Sequence, residues 1–395
     1  MRVIGPEDRR ARLALRHRLL PGLRTDDLPE LVDDLVALHS SDPVTVYLSA
    51  AVRMRTPSLA AVGRALYDDR SLLRHHAMRR TLWVGTPDVV RGMHAAATRA
   101  LVAPERRRTC TMLAASGVAD PESWLEGARN LVLSDLETHG PSTARELGQR
   151  VPALARPLRL PSARQEDPSQ AAHTRVMLNL GFAGDVLRVQ PTGSWVNGAY
   201  RYALADQWLA GGLGDQPTEE AAVALTSHYL RRFGPATAAD LQWWTGWTKT
   251  STTRALAGAG AVPVEVDGGR GWLAADDEGT PEREPWVAAV PGLDPTTMGW
   301  KERDWYLPAG AADAFDRNGN AGPTLWVDGR VVGAWAQHRD GRLLTHWFEP
   351  VPADRREQLA ERLAALVEVI GETRFSVRFP GRIQPRVLAQ GSPAG

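Results

Sequence analysis

Apolar residues recur at helical spacing in several stretches of the chain. Leu28, Leu31, Val32, Leu35 and Leu38 share one face and predict an amphipathic helix over 28–38. The pattern stops at His39-Ser40-Ser41-Asp42-Pro43, where Pro43 suits the first turn of a new helix and Asp42 or Ser41 its cap. His39 and Ser41 are thereby expected at a helix–helix junction. The run Arg79-Arg80-Thr81-Leu82-Trp83-Val84 reads as a strand carrying two cations. Two more helical runs follow: Trp124, Leu125, Ala128, Leu131, Val132 and Leu136, then Ala222, Leu225, Tyr229, Leu230 and Phe233.

Those two runs end alike. His139-Gly140-Pro141-Ser142-Thr143-Ala144-Arg145-Glu146-Leu147 returns 94 residues later as Phe233-Gly234-Pro235-Ala236-Thr237-Ala238-Ala239-Asp240-Leu241. Gly-Pro ends one helix, Thr143 or Thr237 caps the next, and Glu146 or Asp240 three residues on completes a capping box. Each copy is followed by a hairpin pattern. Over 186–204 it turns at Pro191-Thr192-Gly193-Ser194, with Trp195 and Val196 on the return strand; over 262–274 it turns at Asp267-Gly268-Gly269. Helix, turn, helix and hairpin make the outline of a winged helix. Residues 152–170, rich in Pro, Arg and Ser, read as an inserted loop.

Beyond 276 the texture changes. Asp328-Gly329 and Asp340-Gly341 punctuate a three-stranded antiparallel meander, followed by a helix over 354–370, a strand near 375–379 and a frayed end over 390–395. The expected fold is therefore α+β, with three tandem winged-helix domains and a C-terminal antiparallel β-element. The expected divisions are 1–120, 121–215, 216–280 and 281–395.

Composition narrows the function. With 395 residues, 43% hydrophobic and 24% charged, the chain has globular composition. Its apolar stretches fall far short of the roughly 18 residues a bilayer span needs, and residues 1–12 are charged rather than signal-like. The single cysteine, Cys110, excludes a disulfide framework, and the chain lacks His-Glu-x-x-His and Cys-x-x-Cys, so no metal or other cofactor is expected. A cytoplasmic, nucleoid-associated monomer is the expectation. The net charge is +1, yet residues 1–108 carry 19 Arg against 12 carboxylates and the remainder is net acidic. That asymmetry suits a polyanionic partner, although Arg outnumbers Lys so heavily throughout that solvated arginine faces explain it equally well.

The segments Leu38-His39-Ser40-Ser41-Asp42-Pro43-Val44-Thr45-Val46 and Met78-Arg79-Arg80-Thr81-Leu82-Trp83-Val84 resemble the winged-helix family of bacterial DNA glycosylases. This is the family of the azinomycin-resistance glycosylase and of relatives that unhook interstrand crosslinks. Pro291-Gly292-Leu293-Asp294-Pro295-Thr296-Thr297-Met298-Gly299-Trp300-Lys301-Glu302-Arg303 and Trp326-Val327-Asp328-Gly329-Arg330-Val331-Val332-Gly333 match family segments too, and the resemblance covers roughly residues 10–385. It implies three winged helices with a C-terminal β-element, double-stranded DNA bearing an alkylated purine as partner, and a site in the first segment. The family carries two Gln one residue apart, followed by Asp; here those places hold His39, Ser41 and Asp42, as in a branch with His and Ser or Thr.

The chemistry suits these residue types. An N7-alkylated purine is already cationic and leaves readily, so an enzyme need only orient water beneath C1′ and stabilise an oxocarbenium-like sugar. A neutral His39 could accept a proton from that water, Ser41 could hold it, and Asp42 could supply negative charge. His39 as a plain helix terminus and Ser41 and Asp42 as plain caps are the structural alternatives. Arg53, Arg79, Arg80 and Thr81 are the candidate DNA contacts. The only lysines, Lys249 and Lys301, lie far from the motif, which argues for a monofunctional glycosylase over a Schiff-base lyase. If His39 titrates near its ordinary value of about 6.5, activity rises with pH through that range. Trp243-Trp244-Thr245-Gly246-Trp247 reads as core rather than a base-stacking platform. The rival function is a non-catalytic winged-helix DNA-binding protein, a regulator or lesion-sequestering factor.

Overall fold

A computed structural model describes residues 1–159, 170–267, 269–279 and 281–390. The chain opens with β1 (Arg2–Val3) and α1 (Pro6–Arg16). A first unit follows: α2 (Leu28–Asp33), β2 (Leu38–His39), α3 (Pro43–Ala51), α4 (Leu59–Tyr67), β3 (Leu73–His76) and β4 (Leu82–Gly85). The helix expected over 28–38 stops at Asp33. Val36 turns the chain in the left-handed region (φ 60°), and Leu38 then enters a strand paired with Val84. Leu35 and Leu38 are buried as expected, but by strand pairing instead of a continued helix face. His39 therefore sits at a strand–helix junction. The two cations of the expected strand over 79–84 also lie outside it, because β4 begins only at Leu82.

α5 (Pro87–Met93) runs through a π-helical turn at His94–Thr98 into α6 (Arg99–Ala115). The Ala96 carbonyl in this turn accepts the indole N–H of Trp247 at 2.9 Å. The second unit comprises α7 (Pro121–His139), β5 (Ser142–Thr143), α8 (Ala144–Arg150), the short pair β6 (Pro157–Leu158) and β7 (Gln170–Ala171), α9 (Ala172–Ala183), β8 (Val186–Pro191) and β9 (Tyr200–Leu204). Residues 160–169 of the expected inserted loop lie outside the described residues. After α10 (Ala205–Trp208), the third unit repeats the order with α11 (Thr218–Phe233), β10 (Ala236–Thr237), α12 (Ala238–Thr245), α13 (Lys249–Gly258), β11 (Val262–Val266) and β12 (Gly269–Leu273).

Both capping boxes form: Thr143 with Glu146, and Thr237 with Asp240. All three units share one sheet order, first strand against third and third against second: β2–β4–β3, β5–β9–β8 and β10–β12–β11. β1 joins the last of these, Arg2 pairing in parallel with Val264. Each unit also carries a helix that the periodicity left unread, α4, α9 and α13. Trp195 and Val196 lie in the long turn between β8 and β9, not on the return strand.

The C-terminal element is a four-stranded sheet, β13 (Val287–Val290), β14 (Thr324–Val327), β15 (Arg330–Gln337) and β16 (Leu343–Trp347), in that order. It adds one strand to the expected meander. α14 (Pro295–Met298) follows β13, α15 (Ala353–Ile370) packs its Leu359, Leu363 and Leu366 face on the sheet, and α16 (Gln384–Ala389) closes the described chain. Residues 375–379 form no strand. Two of their N–H groups go to side chains instead, Phe375 to Gln337 Oε1 at 3.0 Å and Arg378 to Asp42 Oδ2 at 2.8 Å. The molecule is a mixed α+β fold, and no helix among the described residues is long and apolar enough to cross a membrane.

Every residue of α3 is buried. Val46, Tyr47 and Ala50 face the first unit's core, while Val44 and Leu48 join the core of the C-terminal sheet. A helix apolar all round must be enclosed on all sides, so α3 joins the first unit to the C-terminal element. Arg53, just beyond its end, fixes that join. All five guanidinium N–H groups are used: Nε to the His17 carbonyl (2.8 Å), Nη1 to the Ser49 carbonyl (2.7 Å) and Asp294 Oδ2 (2.9 Å), Nη2 to Asp294 Oδ1 (2.7 Å) and Thr296 Oγ1 (2.8 Å). Asp294 also accepts from Ser49 Oγ and the Thr296 N–H. Burial alone pushes the Asp294 carboxyl up, but the Arg53 charge and these bonds bring it below its ordinary value. Arg53 is fully buried, so it does not meet DNA and leaves the set of candidate contacts.

Two outcomes follow for stability. Arg53→Ala strands a buried carboxylate and should cost about 3–5 kcal/mol in urea unfolding. Arg53→Lys should recover only part, since an ammonium offers three donors against five. Four histidines outside the motif are buried as neutral rings. Burial lowers His17 to about 3 and His94 to about 4, and lowers His75 and His76 well below the ordinary value. In the unfolded chain they titrate near 6.5. Their contribution is complete above about pH 6.5 and is lost as the pH falls toward 4 and 3, where only the unfolded chain takes up protons. The melting temperature should be level between pH 7 and 8 and fall steeply below 6; a level profile down to pH 4 would contradict this assignment.

Candidate active site

β2 ends at His39, paired with Trp83, and the Ser40 N–H continues the ladder to the Leu82 carbonyl at 2.7 Å. α3 begins at Pro43, three residues beyond Ser40, with Asp42 as its N-cap, Oδ1 accepting the Val44 N–H at 3.1 Å. The motif is thus a short bridge held at both ends. Its middle is held as well: buried Arg74 donates from Nε to Ser40 Oγ (2.8 Å) and from Nη1 to Tyr67 Oη (2.9 Å), with its guanidinium 4.3 Å from the ring centre of Tyr200.

His39 is 3% exposed, and its ring lies 4.9 Å from that of Trp83. Burial, with the nearby Arg79 charge, lowers its pKa to about 3. The imidazole is therefore neutral at physiological pH. Its Nδ1 accepts the Ser41 N–H at 3.4 Å, which leaves the ring proton on Nε2. His39 then presents a donor, and a base this weak is poorly matched to proton abstraction near neutrality. The expected rise of activity through pH 6.5 presumed an unperturbed ring, and burial perturbs it. The Ser41 side chain is half-buried, and its hydroxyl has no hydrogen-bond partner among the described residues. Both Asp42 oxygens are engaged by backbone N–H groups, of Val44 and Arg378; burial raises its pKa despite them.

The other predicted residues form the tip of the β3–β4 hairpin. Arg79 (φ 54°, ψ 30°) and Arg80 (φ 63°) both lie in the left-handed region, and the Thr81 N–H returns to the Met78 carbonyl at 3.1 Å. This is a type I′ turn, which favours Asn-Gly; two arginines here cost on the order of 1–3 kcal/mol each. Arg79 lies against the third unit, 4.2 Å above the ring centre of Trp243, where a Cβ on Gly246 would stand 3.2 Å from its Cγ. Burial and the Arg303 charge lower its pKa to about 10. Arg80 is half exposed and pairs with buried Glu105 at 3.1 Å. The Thr81 hydroxyl is committed within the turn, donating to the Met78 carbonyl and accepting from Trp83 Nε1. A cleft of about 930 Å³ opens beside the turn, lined by Arg79, Arg80, Ala97, Trp247 and Arg254 among others.

The fold thus brings the Arg79 charge near His39, holds Ser41 and Asp42 beside it in the same bridge, and sends Arg53 into the core. Trp244 is core, as the sequence suggests, packed with Tyr229 and Phe233. Arg74, Arg303 and Arg378 were not singled out. Arg74 lies on the strand whose pairing partner carries the motif's neighbour Trp83, and Arg303 ends the family segment that begins at Pro291, but nothing local distinguishes Arg378. No group of three or more His, Cys, Asp or Glu among the described residues is placed to hold a metal ion.

The profile of the AlkZ-like DNA glycosylases matches residues 32–369. The solved structure of the Streptomyces sahachiroi DNA glycosylase AlkZ is similar over 93% of this chain and 98% of that one, with a TM-score of 0.73 and 21% identity. No curated protein matches. The match spans most of the chain, from the end of α2 to the end of α15, and the chain belongs to the AlkZ-like DNA glycosylase family.

Proposed function

We propose that this protein is a monofunctional DNA glycosylase that hydrolyses the N-glycosidic bond of N7-alkylated purines, including bulky adducts. One observation carries the reading: a neutral imidazole and an unengaged hydroxyl two residues apart, fixed at a strand–helix junction in a member of a DNA glycosylase family. The three repeated units are read as winged helices, supported by their shared order of helices and strands and their shared sheet order. The divisions 1–120, 121–215, 216–280 and 281–395 approximate them, with β1 contributing to the third.

The leaving base carries its positive charge before reaction, so no acid is needed to protonate it. Water attacks C1′, the bond from C1′ to the purine nitrogen breaks, and its electron pair neutralises the base. His39 and Ser41 orient the water, and its proton passes to solvent. Asp42 holds the start of α3, and with it Ser41, while its charge favours the cationic sugar. A protonated histidine here would repel both lesion and transition state, so burial that keeps His39 neutral assists the reaction. Arg79 and Arg80 present positive charge at the hairpin tip toward the DNA backbone, with Thr81 fixing the turn.

The reading is tested by single-turnover release of base from duplexes carrying N7-methylguanine or a bulky N7 adduct. His39→Ala should lower the rate by about 10²-fold or more, and His39→Gln should restore part of it, since a neutral amide can also orient water. Between pH 5.5 and 8 the rate above background should be flat; a rise through pH 6–7 would instead identify His39 as a titrating base. DNA binding without release from either substrate would favour the non-catalytic binding protein.

A further inference from the structure

The turn between β8 and β9 reaches across to the motif. Trp195 lies between Tyr47 of α3 and Phe375 of the C-terminal segment, with ring centres 5.5 and 6.0 Å away. Three residues on, Gly198 faces Arg378. A Cβ built on Gly198 would stand 2.1 Å from Nη2 and 2.6 Å from Nη1 of Arg378. Gly198 is outside the left-handed region, so its backbone conformation does not demand glycine; the space for the guanidinium does.

That notch holds Arg378 directly over the motif. Its backbone N–H caps Asp42 Oδ2, and its Nη1 approaches the Ser41 carbonyl at 3.4 Å. The side chain is exposed and forms no ion pair within 4.0 Å among the described residues. Other arginines near the site are covered by protein groups: Arg80 by Glu105, Arg74 by Ser40, Tyr67 and Tyr200, and Arg79 by the ring of Trp243. Asp42 feels the Arg378 charge but accepts its backbone N–H rather than its guanidinium, so the side chain keeps donors free for an external anion. The anion that a duplex brings to this position is a phosphodiester.

We propose that Arg378 grips a DNA phosphate beside the target nucleotide, with Gly198 as the notch that aims it. The second unit and the C-terminal element then both take part in a site whose motif lies in the first. The inference rests on the DNA-glycosylase reading for the identity of the anion, and it concerns binding, not the chemical step.

The experiment measures affinity for a duplex by fluorescence anisotropy over a salt series, for wild type, Arg378→Ala, Arg378→Lys, Gly198→Ala and the Ala/Ala double variant. Loss of one phosphate contact reduces the slope of log K against log salt by about 0.9 and weakens binding about tenfold. Arg378→Ala and Gly198→Ala should both show this, the double variant should be no worse than either single, and Arg378→Lys should keep the wild-type slope. Gly198→Ala displaces only the flexible end of a side chain, so it should melt like wild type. If Arg378→Ala lowers the melting temperature but keeps the salt slope, Arg378 merely pins the C-terminal segment and the proposal fails. If the wild type binds with salt dependence yet releases no base, the glycosylase reading fails while the variant slopes still judge Arg378. If the wild type does not bind DNA, both fall.

Discussion

The buried pair of Arg53 and Asp294 is the constraint on which the site depends. Removing two charges from water is costly, and the cost is recovered only when every donor and acceptor is matched. Here they are: five guanidinium donors and four acceptor positions on the carboxylate are filled from α1, α3 and the segment leading into α14. The pair acts at one end of α3, and the candidate site lies at the other, where Asp42 caps the first turn. A short rigid helix joins the two. This also explains why Asp294-Pro295-Thr296 belongs to a recognisable segment although it lies far along the chain: it is the other half of a lock.

The site is assembled by convergence. β2 and α3 supply the motif, buried Arg74 anchors its middle residue, the β3–β4 turn places Arg79 nearby, and the C-terminal segment caps Asp42. The electrostatics share one direction. Burial keeps His39 neutral, and cations surround the site without entering it. A neutral imidazole within a positive rim suits the substrate proposed above, anionic in its backbone and cationic at its damaged base. In the proposed reaction the rim holds the polymer while the centre does not repel the base.

Much of this was legible in the sequence. The Gly-Pro-x-Thr repeat gave both capping boxes, because a cap is a local contract among four residues. The turn dipeptides gave the C-terminal strands for the same reason. What misled was apolar spacing divorced from pairing. Leu35 and Leu38 fit a helical face, yet one left-handed residue at Val36 redirects them into a turn and a strand. Arg79 and Arg80 looked like strand residues because nothing about two arginines announces a type I′ turn. Arg53 looked like a surface cation because its partner is 241 positions away. Arg378 was invisible, since its place depends on an opening at Gly198 that only the folded chain creates.

The separation of Arg53 from Asp294 also bears on how the protein is born. At about 5–20 residues per second, roughly 10–50 s pass between synthesis of the arginine and of its aspartate. During that interval the first unit carries a buried-type cation with no counter-charge, and α3 lacks the C-terminal sheet that covers its second apolar face. The helix bearing the motif cannot reach its final surroundings on the ribosome before most of the chain has emerged. A chain cut short before residue 287 leaves Val44 and Leu48 of that helix without the sheet that covers them.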